Sequence, residues 1–477
     1  MVPVLALIGL APIRGRGAYD MLRFHVPAIE RFAGQLPSPD LTDYLSATTP
    51  GYHLALALVA SVTGGLAPLR LAGAACTLLF AILLGWALGR RAEAWKAVTL
   101  GAPAVASSYV VLSGAFVLPD VAGWLGVLAV LVIALRAAEG RATCGRWLAM
   151  GGMALLGLAF VRQIHLWAAA ALWTGAWWSL GGGRLLDGLT TDLGARVRRA
   201  VTMLVATLPA FAMVGAFVAL WGGLTPPMFQ GQYPPGVSLA GPAFVLALVG
   251  AIGLFFLGWW WPMLTSSLAA SPGANRGPAW LGAAGAVLGA GVVAIAVATD
   301  YDKDAGRWTG LWNVAQRLPA PGGRSVVIVG LAMLGGLTIW SVVRPLSAPI
   351  RWTLLAAGLA FVVAFSAGHE LWQRYAEPFV LLWLALALAH TGCHPDSAGR
   401  SVIGVGLGVW RLAGPALFVV GSLVLAGAQV WRAPPLGEID PDAPLPWTTP
   451  PPPDPLGAAP YAPRSDVPGA NPLGSAS

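Results

Sequence analysis

Residues 241–262 read GPAFVLALVGAIGLFFLGWWWP, a run of 22 residues without a single charge. About 20 apolar residues in a helix cross a hydrocarbon core of ~30 Å. A helix also satisfies its own backbone polar groups, as lipid demands. Comparable runs fall at 2–13, 71–89, 97–117, 120–136, 147–161, 164–180, 201–221, 279–298, 324–343, 352–368, 377–391 and 411–430. The pattern predicts an all-α, polytopic integral membrane protein with about 13 transmembrane helices. The stretch 52–68 is ambiguous and reads either as a fourteenth span or as a helix lying at the interface. The short first run continues into the protein and reads as a span, not a cleaved leader; an upstream start would lengthen it.

Composition agrees. Hydrophobic residues make up 57% of 477 residues and charged residues 10%, too little charge for the surface of a soluble domain. The 61 glycines suit close helix packing in lipid. The net charge of +8 is not a nucleic-acid footprint, because the basic residues are scattered between apolar runs. Nearly all are Arg, with Lys only at Lys96 and Lys303, a bias expected of a GC-rich bacterial genome. The three cysteines show no paired or metal-type spacing, so neither a disulfide nor a metal site is expected.

Charge orients the chain. If 52–68 does not span, the loops facing inward carry 15 of the 28 basic residues and 5 of the 20 acidic ones. This is the positive-inside pattern, and a spanning 52–68 would turn the Arg-rich 184–199 loop outward. The expectation is therefore 13 spans in a bacterial inner membrane, with the N-terminus cytoplasmic and the C-terminus external. Residues 1–430 form the membrane domain. The tail 431–477 holds 14 of the 39 prolines and reads as disordered.

This topology collects unusual polar segments on the external side. The first loop, 14–70, contains Tyr19-Asp20-Met21-Leu22-Arg23-Phe24-His25-Val26-Pro27, then Asp40 and Asp43, then Thr48-Thr49-Pro50-Gly51-Tyr52-His53. Residues 18–33 place Phe24, Val26, Ile29 and Phe32 among charges, which suits a helix on the membrane surface. The plain alternative is a solvated loop in which Thr48 and Thr49 start a helix. A second segment, Arg162-Gln163-Ile164-His165-Leu166-Trp167, joins two short spans; polar residues there are costly unless they serve something. Its alternative is an interfacial anchor. The third is His369-Glu370-Leu371-Trp372-Gln373-Arg374-Tyr375, in which the planar fork of Arg374 suits a phosphate or, alternatively, an Arg–Glu pair closing a turn. Asp300-Tyr301-Asp302-Lys303-Asp304-Ala305-Gly306 looks like the opening of a calcium loop, but its Gly comes one place late and Leu311 stands where Glu is needed. It reads as a solvated loop.

Together these residues resemble the GT-C glycosyltransferases. Within them the chain is most similar to the alpha-1,2-glucosyltransferases that use dolichyl-phosphate glucose in N-glycan precursor assembly. That family carries Tyr-x-Asp-Glu-x-Phe-His-Ile-Pro after its first helix, matched here by Tyr19, Phe24, His25, Val26 and Pro27. Its Thr-Thr-x-Pro-Gly-x-Tyr resembles Thr48-Thr49-Pro50-Gly51-Tyr52, its Arg-Gln-Thr-Asn resembles Arg162-Gln163-Ile164-His165, and its Arg-Tyr-x-x-x-Pro resembles Arg374-Tyr375-Ala376-Glu377-Pro378. The departures are specific. The family's acidic pair falls at Met21 and Leu22, so Asp20 is offset by one, and His165 replaces an Asn.

The resemblance implies an inverting transfer of a hexose from a polyprenyl-phosphate-linked donor to a glycan or lipid-linked acceptor, without metal or cofactor. Asp20 is the implied base, with Asp40 and Asp43 as alternatives. Arg162, Gln163, His165, His25, Arg374 and Tyr375 would hold the donor or its phosphate. Asp40, Asp43, Thr48, Thr49, His53 and Glu370 would line the acceptor side. The competing reading is a transporter or flippase for a lipid-linked sugar, which calls for charged or broken helices near the midplane.

Overall fold

The apolar runs fold as helices: Val2–Leu10, Leu66–Gly89, Ala94–Ala106 with Ser108–Ala115, Asp120–Glu139, Cys144–Val161, Ala169–Trp178, Leu193–Trp221, Gly241–Phe255 with Leu257–Ala269, Ala279–Ile295, Val326–Val343, Ala348–Ser366, Gln373–His390 and Val402–Trp431. The structure, a computed structural model, describes residues 2–10, 13–140, 144–180, 192–232, 236–269, 278–368, 370–391, 402–433 and 436. Among them there is no named β-strand. His369, residues 181–191 and almost all of the tail expected to be disordered lie outside the described residues, while Arg196, Arg198 and Arg199 of the 184–199 loop belong to the helix Leu193–Trp221.

Six helices are long and apolar enough to cross a membrane, or up to eight if each bent pair is one span. Thirteen spans are not reached by length and composition among the described residues, for physical reasons. Gly145–Val161 and Ala279–Ile295 are short, and Gln373–His390 carries Arg374 and Glu377 at its start. The two bent pairs turn by 61° at Ser107 and by 99° at Phe256. Residues 52–68 do not make one span. Gly51–Thr63 ends where Gly64 and Gly65 take φ of 65° and 75°, and Leu66 opens the next helix.

The exposed helix faces are apolar. Only 28% of the apolar window in Leu193–Trp221, and 17% of that in Gly408–Trp431, is buried in protein. Val201, Leu204, Val205, Leu208, Val420 and Val424 lie open. A contiguous open apolar surface on this scale is a lipid-facing surface.

Elsewhere the helices touch backbone to backbone, as the glycine content predicts. A Cβ on Gly250 would stand 2.0 Å from the Leu331 carbonyl, and one on Gly335 would stand 2.0 Å from the Leu246 carbonyl. Gly175 approaches the Ala134 carbonyl and Gly152 the Ala206 carbonyl in the same way. Small residues at such crossings are what packing in lipid selects.

The first loop folds into one nearly continuous helical segment: Gly15–Asp20, a π turn at Met21–His25, then Val26–Gln35. Phe24, Ile29 and Phe32 are buried, and the Phe32 ring lies 5.1 Å from that of Tyr44. The apolar face expected to rest on the membrane is therefore covered largely by the chain itself. The 299–323 loop is tied down too. Arg307 Nη2 donates to Asp300 Oδ1 at 2.9 Å and to Asp302 Oδ2 at 3.2 Å. The Leu371 N–H donates to the Gly306 carbonyl at 3.2 Å, which seats this loop against the turn before Gln373.

Candidate active site

Three helix ends and the π turn meet at one end of the bundle. Asp120 is the first residue of Asp120–Glu139, Arg162 follows Cys144–Val161, and Arg374 is the second residue of Gln373–His390. The π turn brings the fourth group. Its hydrogen bonds close from i to i+5, so residues five apart stand over one another, whereas an α-helix would splay them. Asp20 and His25 are five apart, Asp20 just before that turn and His25 closing it.

Charges alternate across the cluster. Arg162 Nη1 pairs with Asp120 Oδ1. Arg374 Nη1 stands 3.5 Å from Asp20 Oδ2. The Tyr375 ring lies between the two cations, 5.2 Å from the Arg162 guanidinium and 4.7 Å from that of Arg374, and its hydroxyl accepts from Arg374 Nη2 at 2.6 Å. Arg16 sits over Trp372 at 5.1 Å and Trp308 at 5.7 Å. Trp308 Nε1 donates to Glu370 Oε2 at 3.3 Å, placing Glu370 at the edge of this aromatic wall. Cations stacked on aromatic faces are held without being neutralised.

Burial pushes the Asp20 carboxyl above the ordinary carboxylate range; Arg374 and Arg16 pull it back, and Asp120 pushes it up again. A carboxylate with a raised pKa is a better proton acceptor than a surface one. Burial drives His25 down to about 4, so it is neutral at pH 7. Its Nδ1 lies 2.9 Å from His53 Nε2, so one nitrogen donates to the other. His165 packs on Trp124 at 4.8 Å, beside Arg162, and its two ring nitrogens are buried without a hydrogen-bond partner among the described residues. Buried polar atoms left this way call for a ligand or water.

Other expected site residues make hydrogen bonds to neighbouring loops. Gln163 Nε2 donates to the carbonyls of Ala47 at 2.9 Å and Leu224 at 2.8 Å, while Oε1 accepts from the Thr49 N–H at 2.9 Å. Thr49 Oγ1 donates to the Ala159 carbonyl at 2.7 Å, and the hydroxyls of Thr48 and Ser46 meet at 3.1 Å. Gln163, Thr48 and Thr49 thus fasten loops. Asp40 is remote and exposed. It accepts from Thr42 and pairs with Arg31 at 3.1 Å, and the Thr42 hydrogen bonds hold its carboxyl below the ordinary range. Asp43 accepts from the Met228 N–H at 3.2 Å. Neither Asp40 nor Asp43 joins the cluster.

Asp120, Arg16, Trp308 and Trp372 belong to the cluster and were not singled out in the sequence. Asp120 had a signal, an acid opening an apolar run on the side already collecting polar residues, but a carboxylate at a helix N-terminus is commonplace. Among the described residues no three His, Cys, Asp or Glu side chains converge to hold a metal ion.

No family model matches the sequence, and no curated protein matches it. Two solved structures are similar in fold: ArnT from Cupriavidus metallidurans in the apo state and ArnT from the same organism bound to undecaprenyl phosphate. Each has 19% identity and a TM-score of 0.40 and covers 90% of this chain, with 76% and 75% of the ArnT chains covered.

Proposed function

We propose that the chain is an inverting GT-C-type glycosyltransferase that moves a hexose from a polyprenyl-phosphate-linked donor to a lipid-linked or extracytoplasmic glycan acceptor. The observation that carries this reading is the largely shielded alternation of Asp20, Arg374, Tyr375, Arg162 and Asp120, with Arg162 buried and the others half-buried, at one end of a lipid-facing helix bundle. A base and a pair of phosphate-binding cations stand side by side. Asp20 takes the proton of an acceptor hydroxyl, whose oxygen attacks the anomeric carbon. The bond from that carbon to the phosphate oxygen breaks, and the lipid phosphate leaves with the electron pair. Arg374 and Arg162 face the leaving group and stabilise its developing charge. Asp120 holds Arg162 in place, and His165 and His25 border the same space as neutral hydrogen-bonding groups.

The proposal carries the thirteen-span topology with it. In a bacterial inner membrane the cluster lies outside, as the distribution of basic residues favours. Glucose is the sugar suggested by the sequence motifs. The transporter alternative shares the two bent helix pairs, but the charges of the cluster sit at helix ends and neither bend carries a charged residue.

The test is sugar transfer in proteoliposomes with a panel of polyprenyl-phosphate sugars and a lipid-linked acceptor extract. The native chain is compared with Asp20→Asn and Asp40→Asn. Transfer lost only in Asp20→Asn, with donor binding kept, is the expected result. Equal transfer by native chain and Asp20→Asn would remove Asp20 as base, and no transfer with any donor would overturn the enzyme reading.

A further inference from the structure

A second feature lies at the other end of the bundle. The helix Val326–Val343 starts beside the 299–323 loop, where the Ser325 N–H donates to Thr299 Oγ1 at 3.0 Å. That loop seats on the turn before Arg374, so the N-terminal end of this helix is on the cluster's side. Its 18 residues put Arg344 about 27 Å away at the far end.

Between this helix and Ala279–Ile295 runs an open groove of about 560 Å³. This lies within the range of roughly 300–1,000 Å³ found for ligand pockets. Its trough exists because Gly285 and Gly289 lack side chains: a Cβ at either would meet nothing within 4 Å. Ile339 and Leu355 add apolar wall, and Arg344 and Arg351 close one end. Among the described residues no acidic side chain lines it.

The two arginines are differently placed. Arg351 Nη2 is fixed by the carbonyls of Arg344 at 3.0 Å and Leu346 at 2.7 Å. The Arg344 guanidinium lies over the Trp340 ring at 5.0 Å, and its Nη1 is buried without an acceptor among the described residues. A desolvated guanidinium nitrogen without an acceptor, beside a second cation, is complementary to an anion. An apolar trough leading away from that charge in a lipid-facing wall is complementary to a hydrocarbon chain. Basic pockets between membrane helices bind anionic headgroups on this principle.

We propose that this groove binds an anionic glycerophospholipid of the leaflet at that end, one acyl chain lying along Gly285 and Gly289 and the phosphate held by Arg344 and Arg351. The site is separate from the transfer cluster and stands whether or not that cluster transfers sugar.

Native mass spectrometry of the full chain in detergent tests this. The chain is titrated with phosphatidylglycerol and with phosphatidylcholine of identical acyl chains. Both headgroups carry the phosphate, but the choline ammonium cancels its charge and is repelled by the two arginines, so phosphatidylglycerol should be favoured by about tenfold. In Arg344→Gln this preference should collapse towards parity. Gly289→Leu fills open space without touching either arginine and should weaken phosphatidylglycerol binding by about tenfold, with the fold intact by thermal shift. An unchanged preference in Arg344→Gln would overturn the headgroup site. Unchanged affinity in Gly289→Leu would overturn the chain-binding groove. A polyprenyl phosphate that outcompetes phosphatidylglycerol, and is itself lost in Gly289→Leu, would overturn the choice of occupant. Sugar transfer enters none of these readouts.

Discussion

Replacing Asp120 by Asn keeps the shape and a hydrogen-bond acceptor but deletes the charge that faces Arg162. The pair is well shielded, with side chains 8% exposed for Arg162 and 18% for Asp120. Two unit charges about 4 Å apart at an effective dielectric near 20 interact by about 4 kcal/mol. That agrees with the ~3–5 kcal/mol lost when one partner of a buried pair is removed. The retained amide oxygen offsets part of this, so about 3 kcal/mol of apparent stability should disappear in Asp120→Asn. If Arg162 faces the donor phosphate, a bound phosphate replaces the missing negative charge and returns much of that stability by linkage. The assay is thermal unfolding of the native chain and Asp120→Asn, with and without a saturating polyprenyl phosphate. The expected outcome is a variant that unfolds several degrees early alone and gains more from the lipid than the native chain does. Equal lipid-induced shifts in both proteins would refute the placement of Arg162 at the phosphate, and unchanged lipid-free stability would refute the energetic account of the pair.

Two further perturbations separate chemistry from scaffolding. If Asp20 is the base, as proposed, it acts deprotonated, and because burial raises its pKa transfer should rise with pH through a value above the ordinary carboxylate range. The same shift means that the carboxyl favours the fold when protonated, a contribution present at low pH and lost as pH rises through the raised value. Arg374 lowers that pKa, so Arg374→Gln should move the acid limb of a pH–rate profile to higher pH as well as slowing transfer by about 10²–10³; a limb that stays put would disconnect Arg374 from Asp20. Gln163→Ala removes three hydrogen bonds between loops and should cost about 2–3 kcal/mol of stability. Its donor KM, measured on folded protein, should not change; a raised KM would return Gln163 to the donor site.

The membrane class was legible because lipid imposes a length and a composition on each helix, and the apolar runs express both. Close packing was legible for a related reason: Gly250 and Gly335 are glycine because the facing carbonyl leaves no room for a Cβ. The span count was less legible, since bends at Ser107 and Phe256 and the polar start of Gln373–His390 do not follow from hydropathy. In the site, Asp20, His25, Arg162 and Arg374 stood out as charge or imidazole where apolar residues were expected. Gln163 and Thr49 stood out by the same rule, yet their polarity answers backbone groups 61 to 116 residues away, a distinction that exists only once the chain is folded. Asp120 shows the converse. Its position is ordinary for a helix start, and only the arrival of Arg162 makes it part of a charge network. The π turn was not legible, because residues 18–33 read as one amphipathic helix whether or not it carries the extra residue.

The charge balance of the cluster bears on how the proposed reaction is stabilised. Five charged side chains act on one another at its centre, Arg16, Arg162 and Arg374 against Asp20 and Asp120, a formal surplus of one positive charge among these five, with Glu370 at the edge of the aromatic wall. A polyprenyl-phosphate sugar is a phosphodiester with one negative charge, and the surplus matches it. When the sugar departs, the phosphate becomes a monoester and gains a second negative charge. At that moment Asp20 has taken the acceptor's proton and lost its own charge, so the surplus grows by one with the leaving group. The helices beginning at Asp120 and Gln373 also point their N-termini at the cluster, each adding about half a positive charge. The base and the phosphate clamp are therefore coupled. In the proposed reaction the clamp would hold the departing phosphate more tightly than the donor because the proton has moved, which is the differential binding that lowers a barrier.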